Sequence, residues 1–516
     1  MNLFKHFSFT ILPYLCIILI GLILYTATIK GAVGNPNGQI HQLGLDQSGK
    51  AFELSPERDR YLLTYAMATT GTTSIPKAVA DANYSDIGYY EGKFYILFAP
   101  GISVLALPFY LIGAHFNVAQ VGTFAVIPLF TILSLLFLYK ISRKVFKLPV
   151  WSSLIAPLIF GFSSTSWSYA TTLYQHQVTT FLIVSSFYAV YLYRQKYKNG
   201  WLLSSYVWLA FGVACSIDYP NLLLMGPVVI YLLISQFSIK KVRNSLSFSF
   251  QKTLFTVIFF LAIVLVNAWY NQTHFGSWKR VSGDLVNYKT ILEQHLLTSK
   301  KGTAKLATIA KNKSDTVSFF SEDNIPFSFY TLTTSLDRGL LLYSPIFVIA
   351  FLGILAMLSD LSTETIILFG LIGIDVFLYS SWGDPWGGWA FGPRYLIPAM
   401  AILSLFAAKW VTLAKHNLIR RIITFILMTY SIAIALLGVL TSNAIPPKVE
   451  ADYLHTGYNF LQNEKYLFHN QSSSFFYNTF LHQSVTLPMY FAYIYIGLLV
   501  ITVTVLFVLP IFTKHE

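Results

Sequence analysis

Apolar residues in this chain run in long uncharged blocks, with none of the short alternation of strands or the two-sided stripe of surface helices. Blocks of this kind occupy residues 8–28, 119–139, 150–165, 172–193, 201–217, 219–235, 253–270, 339–358, 363–381, 394–413, 422–440 and 488–511. A helix of about 20 residues crosses the roughly 30 Å of a bilayer's hydrocarbon. The pattern therefore predicts an all-α, polytopic integral membrane protein with about 12 full transmembrane helices. The first block resembles a signal peptide in having Lys5 ahead of it, but its length and the lack of a small-residue cleavage site favour a retained anchor.

Residues 97–115 are apolar but contain Pro100, Gly101 and Pro108. Basic residues decide how to read them. Lys140, Arg143, Lys144 and Lys147 form one cluster, Arg194, Lys196 and Lys198 a second, and Lys240, Lys241 and Arg243 a third. Lys415, Arg420 and Arg421 follow, and Lys514 closes the chain. All of these fall on Lys5's side if 97–115 does not cross. The segment is therefore expected to be re-entrant or juxtamembrane, with both termini cytoplasmic. The long loops 29–96, 271–338, 382–393 and 441–487 then lie outside, where irregular sequence carries function. Residues 1–440 are read as the catalytic transmembrane domain, and 441–516 as an outer loop plus the last helix. The sequons at Asn83, Asn271, Asn312 and Asn470 all fall in outer loops.

Composition agrees. Of 516 residues, 55% are apolar and 11% charged, against roughly 25% charged in soluble domains. That excludes a disordered chain, a collagen and a disulfide scaffold. The formal charge of +13 is placed in short clusters between spans, which reads as anchoring at an anionic membrane face and argues against a nucleic-acid partner. Cys16 and Cys215 lie in apolar blocks and read as reduced core residues. Gly44-Leu45-Asp46-Gln47-Ser48-Gly49-Lys50 imitates a phosphate-binding loop, but Ala51 stands where a magnesium-ligating hydroxyl belongs.

The first outer loop is informative. Ser55 to Ala68 reads as a helix, with Ser55 as cap, Pro56 in the first turn and acids beside it. Later come Gly92-Lys93-Phe94-Tyr95 and Pro100-Gly101. This loop resembles the first external loop of the GT-C superfamily, membrane glycosyltransferases that use polyprenyl-phosphate sugars. Thr171 to His176, Ser216 to Pro220, Asn271 to Gly276, Arg338 to Pro345 and Trp386 to Leu396 continue the resemblance in order. The last two are similar to motifs of a bacterial branch related to protein O-mannosyltransferases and lipid A aminoarabinose transferases.

The resemblance implies a GT-C-like fold in the plasma (inner) membrane. It implies an inverting glycosyltransferase that moves a sugar from a polyprenyl-phosphate donor to a hydroxyl acceptor on the outer face, the acceptor being a cell-envelope glycan, a lipid or a protein. Such a donor already carries a good leaving group. One base and a few cations for the phosphate complete the requirement. No cofactor is demanded, and a divalent cation is left open. Asp59 aligns with the family's acid, with Glu57 in reserve; Arg60 stands where the family often has a second acid. Arg394, Lys93, Tyr95, Arg60 and Trp389 are candidates for the donor's phosphate or sugar, and His176 and Asp218 are further catalytic candidates. Each also has a plain structural reading: a helix-end acid, an interfacial anchor, a solvated lysine, an aromatic belt. Asp375 lies about 10 Å deep by helical rise and reads slightly better as a structural partner. Two other classes stay open, a transporter or lipid flippase and a polymerase or ligase using a diphosphate-linked donor. The first needs paired charges near the midplane; the second is poorly separated by sequence.

Overall fold

The computed structural model describes residues 2–36, 52–82, 85–197, 199–242, 245–250, 252–297, 305–306, 320–359, 361–413 and 418–512. The 44–50 segment, Asn83, Asn312, Lys198, Arg243, Lys415 and Lys514 lie outside the described residues. The fold is overwhelmingly helical. Among the described residues, eight helices are long and apolar enough to cross a membrane: Ile11–Thr28, Ala119–Lys144, Gly200–Ile217, Thr253–Phe275, Thr363–Ser380, Arg394–Leu413, Leu418–Leu440 and Leu487–Phe512. Val150–Phe162, Asn221–Gln236 and Phe347–Met357 are shorter apolar helices, and His176–Arg194 is a helix of 19 residues. Together these occupy the twelve blocks expected from the hydropathy pattern.

Burial separates inner from outer members. Arg394–Leu413 is 83% buried, whereas Thr253–Phe275 is 6% buried. The first is the axial helix of the bundle and the second turns its apolar sides outward.

The bundle has two chemically distinct ends. At one, Arg194 pairs with Glu364 at 3.2 Å, the Tyr191 hydroxyl donates to the Lys144 carbonyl at 2.9 Å, and Arg421 stacks over Trp151. This end gathers the described basic clusters. At the other, the segments after the first, third, fifth and eleventh blocks converge, as shown by the Lys30 N–H bond to the Thr171 carbonyl, the Gln175 side-chain bond to the Asp218 carboxylate and the Asn443 side-chain bond to the Ser168 carbonyl.

Helix Gly101–His115 keeps both ends at this loop-bearing end. The Ser103 hydroxyl near its start donates to the Arg60 carbonyl at 2.9 Å. Near its finish, Asn35 donates to the Ala114 carbonyl at 2.9 Å. The chain then doubles straight back: a Cβ on Gly113 would sit 2.8 Å from the Gly122 Cα, so the turn at 116–118 closes only because both positions are glycine. A helix with both ends on one face does not cross, as the charge pattern requires.

Strands are the departure from an all-helical chain. Ile87–Tyr90 pairs antiparallel with Lys93–Ile96 and with Val286–Asn287, tying the first long loop to the second. A hairpin, Phe237–Val242 with Ser245–Phe250, lies between two helices at the basic end. Both are short segments with β-branched or aromatic residues between helices, too brief for the long apolar windows to reveal.

Candidate functional site

The first loop's helix is Ser55–Thr70. Leu54 takes the N-cap position, and Ser55 turns its hydroxyl to the Asp86 carboxylate. The capping expected of Ser55 is done by Glu57, whose Oε1 accepts from the Glu53 and Leu54 N–H groups. Its Oε2 accepts from the Thr172 hydroxyl. A carboxylate two residues into the helix reaches back to the orphan N–H groups and meets the positive end of the helix dipole. Beside it Lys30 pairs with Glu53 at 2.6 Å, and the Asn443 N–H donates to the same Glu53 oxygen at 3.0 Å. This is a closed knot: every carboxylate named in it has partners. Burial, with the Glu53 charge second, pushes the Glu57 carboxyl up to about 7. Glu57 is committed to holding the loop in place.

Asp59 lies two positions on and is 0% exposed. Its Oδ1 accepts from Arg58 Nε at 2.9 Å; its Oδ2 has no partner among the described residues. Burial pushes the Asp59 carboxyl up to about 8, against the lowering pull of Arg58. Arg58 is itself fixed by the Ser85 carbonyl at 3.1 Å.

Arg60 points into a second cluster. Its Nη1 donates to the Pro56 carbonyl at 3.0 Å and its Nη2 to Gln175 Oε1 at 2.8 Å. Gln175 Nε2 in turn donates to Asp218 Oδ2 at 2.9 Å. The guanidinium stacks over Phe98 at 4.6 Å and lies 5.9 Å from the Tyr174 ring centre. Burial lowers the Arg60 guanidinium to about 10. Asp218, half-buried where helix Gly200–Ile217 ends, has its carboxyl raised, by burial first and against the pull of Gln175, Arg60 and Arg394.

Arg394 reaches the same Tyr174 ring, with its guanidinium carbon 5.1 Å from the ring centre and 5.5 Å from that of Tyr395. Gly387, with φ +68°, makes room for it: a Cβ there would lie 2.9 Å from Arg394 Nε. Arg394 forms no ion pair with Asp384, the acid of its own loop, among the described residues. The Asp384 carboxylate instead accepts the Gly388 N–H at 2.6 Å. His176 completes the cluster, its ring 6.2 Å from Tyr174 and 6.1 Å from Tyr395.

The polar atoms here differ from those of the knot. Arg60 Nε, Arg394 Nε and Nη1, the Tyr174 hydroxyl and His176 Nε2 are all buried, and none has a partner among the described residues. A buried donor left unmade costs about 1–3 kcal/mol, more when charged. Two guanidinium groups and one carboxylate leave the cluster with a net positive charge, so an anion with several oxygens would satisfy it. The described residues contain no group of three or more His, Cys, Asp or Glu side chains able to hold a metal.

Thus Arg60, Asp218, His176 and Arg394 come together, with Asp59 next to Arg60 in the chain and its side chain bonded to Arg58. Lys93 does not join them. It is exposed at the start of its strand. Tyr95 packs with Phe275 and Leu285 in a separate small cluster. Trp389, partly exposed, donates to Glu450 at 2.6 Å and pins the Gly/Trp loop to the chain's last loop. Asp375 Oδ2 accepts the Ala399 N–H at 2.8 Å, a backbone partner. Gln175 and Tyr174 stand inside a motif legible in the sequence, yet nothing there marks them as the join between two arginines. Lys30 and Glu53 carry no local signal, since 23 positions separate them.

Fold and cluster define a polytopic helical membrane protein with a cationic, aromatic-walled site at its loop-bearing end. No protein-family model matches the chain, and no curated protein matches it. Among solved structures it is similar to ArnT from Cupriavidus metallidurans bound to undecaprenyl phosphate, at 10% identity, covering 95% of this chain and 76% of that one with a TM-score of 0.43. It is also similar to the archaeal oligosaccharyltransferase AglB from Archaeoglobus fulgidus in complex with an inhibitory peptide and a dolichol-phosphate, at 13% identity, 88% and 59% coverage and a TM-score of 0.44. Likeness at this level leaves the site's own atoms to decide what it does.

Proposed function

We propose that the chain is an inverting glycosyltransferase that takes a sugar from a polyprenyl-phosphate donor and passes it to a hydroxyl acceptor at the outer membrane face. The observation that carries this reading is the set of open donors around Tyr174. Arg60 and Arg394 bring two charges and three unpartnered nitrogens to one buried ring, the demand that a phosphate meets through charge-assisted hydrogen bonds. The aromatic walls keep water out and strengthen that attraction.

In the transfer itself the acceptor oxygen attacks the sugar's anomeric carbon. The bond from that carbon to the phosphate oxygen breaks, and the electron pair leaves with the polyprenyl phosphate. The hydroxyl proton passes to Asp59, whose free Oδ2 and near-neutral affinity for a proton suit a general base. A single displacement inverts the anomeric centre. Asp59 is fully buried, so an acceptor reaches it only if the Ser55–Thr70 helix shifts. Asp218 acts through Gln175 to hold Arg60 in place, and His176 offers Nε2 to the donor. Lys93 is solvent-exposed, Tyr95 is buried in its own apolar cluster and Trp389 is bonded to Glu450, so none of the three has a part in the transfer. Asp375, with its backbone partner, does not supply the paired intramembrane charges that a transporter needs.

The test is turnover by the purified protein in lipid nanodiscs, with polyprenyl-phosphate sugars as donors, read as release of polyprenyl phosphate and formation of an inverted product. Movement of lipid across a vesicle membrane with no covalent product would replace the reading with transport. Turnover of diphosphate-linked donors alone would replace it with a polymerase or ligase. Activity kept in Asp59→Asn but lost in Asp218→Asn would move the base to Asp218.

A further inference from the structure

The chain's last loop bears an open cleft of about 490 Å³ at the start of the final helix, lined mostly by exposed side chains. This lies within the range of small-ligand sites, and it is separate from the arginine cluster. Asn470, Asn478, Gln483, Ser484 and Thr486 contribute amides and hydroxyls to it, with His482 and Tyr477 beside them. No carboxylate, ammonium or guanidinium group lines it.

The scaffold holds two of the amides by one end. Asn470 Oδ1 accepts the Leu487 N–H at 2.8 Å, and Asn478 Nδ2 donates to the Ser472 carbonyl at 2.8 Å. Each amide therefore presents its other end, one a donor and the other an acceptor. Asn478 stands on a π-helix, Tyr477–Leu481, a widened turn that recurs at functional sites. Tyr477 anchors it by donating to the Val485 carbonyl at 3.1 Å.

Apolar surface adjoins the polar cleft. Met489 is in its lining, and Phe480 and Tyr493 are 62% and 60% exposed, the latter one helical turn beyond Met489. A hydroxyl-rich ligand fits the polar part and a lipid chain fits the apolar flank.

We propose that this cleft binds a neutral saccharide, carried as the head group of a membrane glycolipid. Amides and hydroxyls pair with sugar hydroxyls, which both donate and accept. An anionic head group would find no cation there. This site does not depend on the transfer reaction above.

The test uses the full chain in phosphatidylcholine nanodiscs with monoglucosyl diacylglycerol as the probe, followed by hydrogen–deuterium exchange. Exchange over residues 470–489 should slow roughly tenfold, the factor given by about 1.4 kcal/mol. Phosphatidylglycerol in its place should give no slowing. Ser484→Trp, which fills the cleft, and Gln483→Ala, which removes one exposed amide, should each reduce the effect, with the melting temperature unchanged. Gln483→Ala alone carries this arm if the tryptophan does not fold. Methyl glucoside added in water separates the sources: protection by it but not by the glycolipid supports a free saccharide as occupant of the same chemistry. Absence of slowing with either sugar, equal slowing with phosphatidylglycerol, or slowing that survives both substitutions would overturn the proposal.

Discussion

Two polar clusters meet one helix three residues apart, at Glu57 and at Arg60, and they are built on opposite plans. In the Glu53, Glu57 and Lys30 knot each carboxylate has found partners, and Glu57 alone accepts from two backbone N–H groups and the Thr172 hydroxyl. In the Arg60 and Arg394 cluster buried donors remain open. Both are buried, and both join distant parts of the chain. Burial alone therefore does not mark a site; the gathering of several open donors, those of two guanidinium groups among them, around one ring does. The knot spends its charges on architecture, and the cluster keeps them for something that arrives.

The contrast breaks most sharply at Asp59. Asp59→Asn should lower transfer by about a thousandfold, within the range general-base catalysis provides, while a polyprenyl-phosphate donor still binds. Transfer within tenfold of the native rate would remove Asp59 from the chemistry. Arg394→Ala should raise the donor concentration needed for half-maximal transfer by about 10- to 100-fold, as expected for about 1.5–3 kcal/mol of charged hydrogen bonding. A change confined to melting temperature would make Arg394 a second structural residue.

The transfer rate should also depend on pH. Asp59's carboxyl is raised to about 8, so it carries its proton below that pH and works as a base above it. The rate should climb with pH up to about 8 and then level off, and Asp59→Glu should shift the midpoint. A rate flat from neutral pH to 9 would separate the proton acceptor from this buried acid. Glu57→Ala should do the reverse of the Arg394 change, lowering stability by about 1–3 kcal/mol in thermal unfolding with donor affinity unaltered. The smallest effect belongs to Trp389→Phe. It loses the bond to Glu450 and should change transfer less than about threefold, in keeping with about 0.5 kcal/mol for one partly exposed hydrogen bond.

The spans were plainly legible in the sequence, because covering about 30 Å of hydrocarbon demands long uncharged runs. The odd segment 97–115 was legible through charge bookkeeping, and its helix keeps both ends at the loop-bearing end. The strands were not, being four residues or fewer where they tie the two long loops together. Within the site, Arg394 and Arg60 stood out by residue type and place. Their meeting at Tyr174 did not, since it requires the fold to bring together positions from three separate stretches. Lys93 and Trp389 show the converse. Each has the right chemistry in the right loop, yet one faces solvent and the other is engaged with Glu450, an orientation that no spacing encodes.

The central claim is that the open donors at Tyr174 receive the donor's phosphate. It is tested most directly by determining the structure of the full chain in nanodiscs with polyprenyl phosphate bound. The account predicts phosphate oxygens at about 2.7–3.2 Å from nitrogens of both Arg60 and Arg394. A phosphate held at Lys93, with neither arginine touching it, would contradict the account.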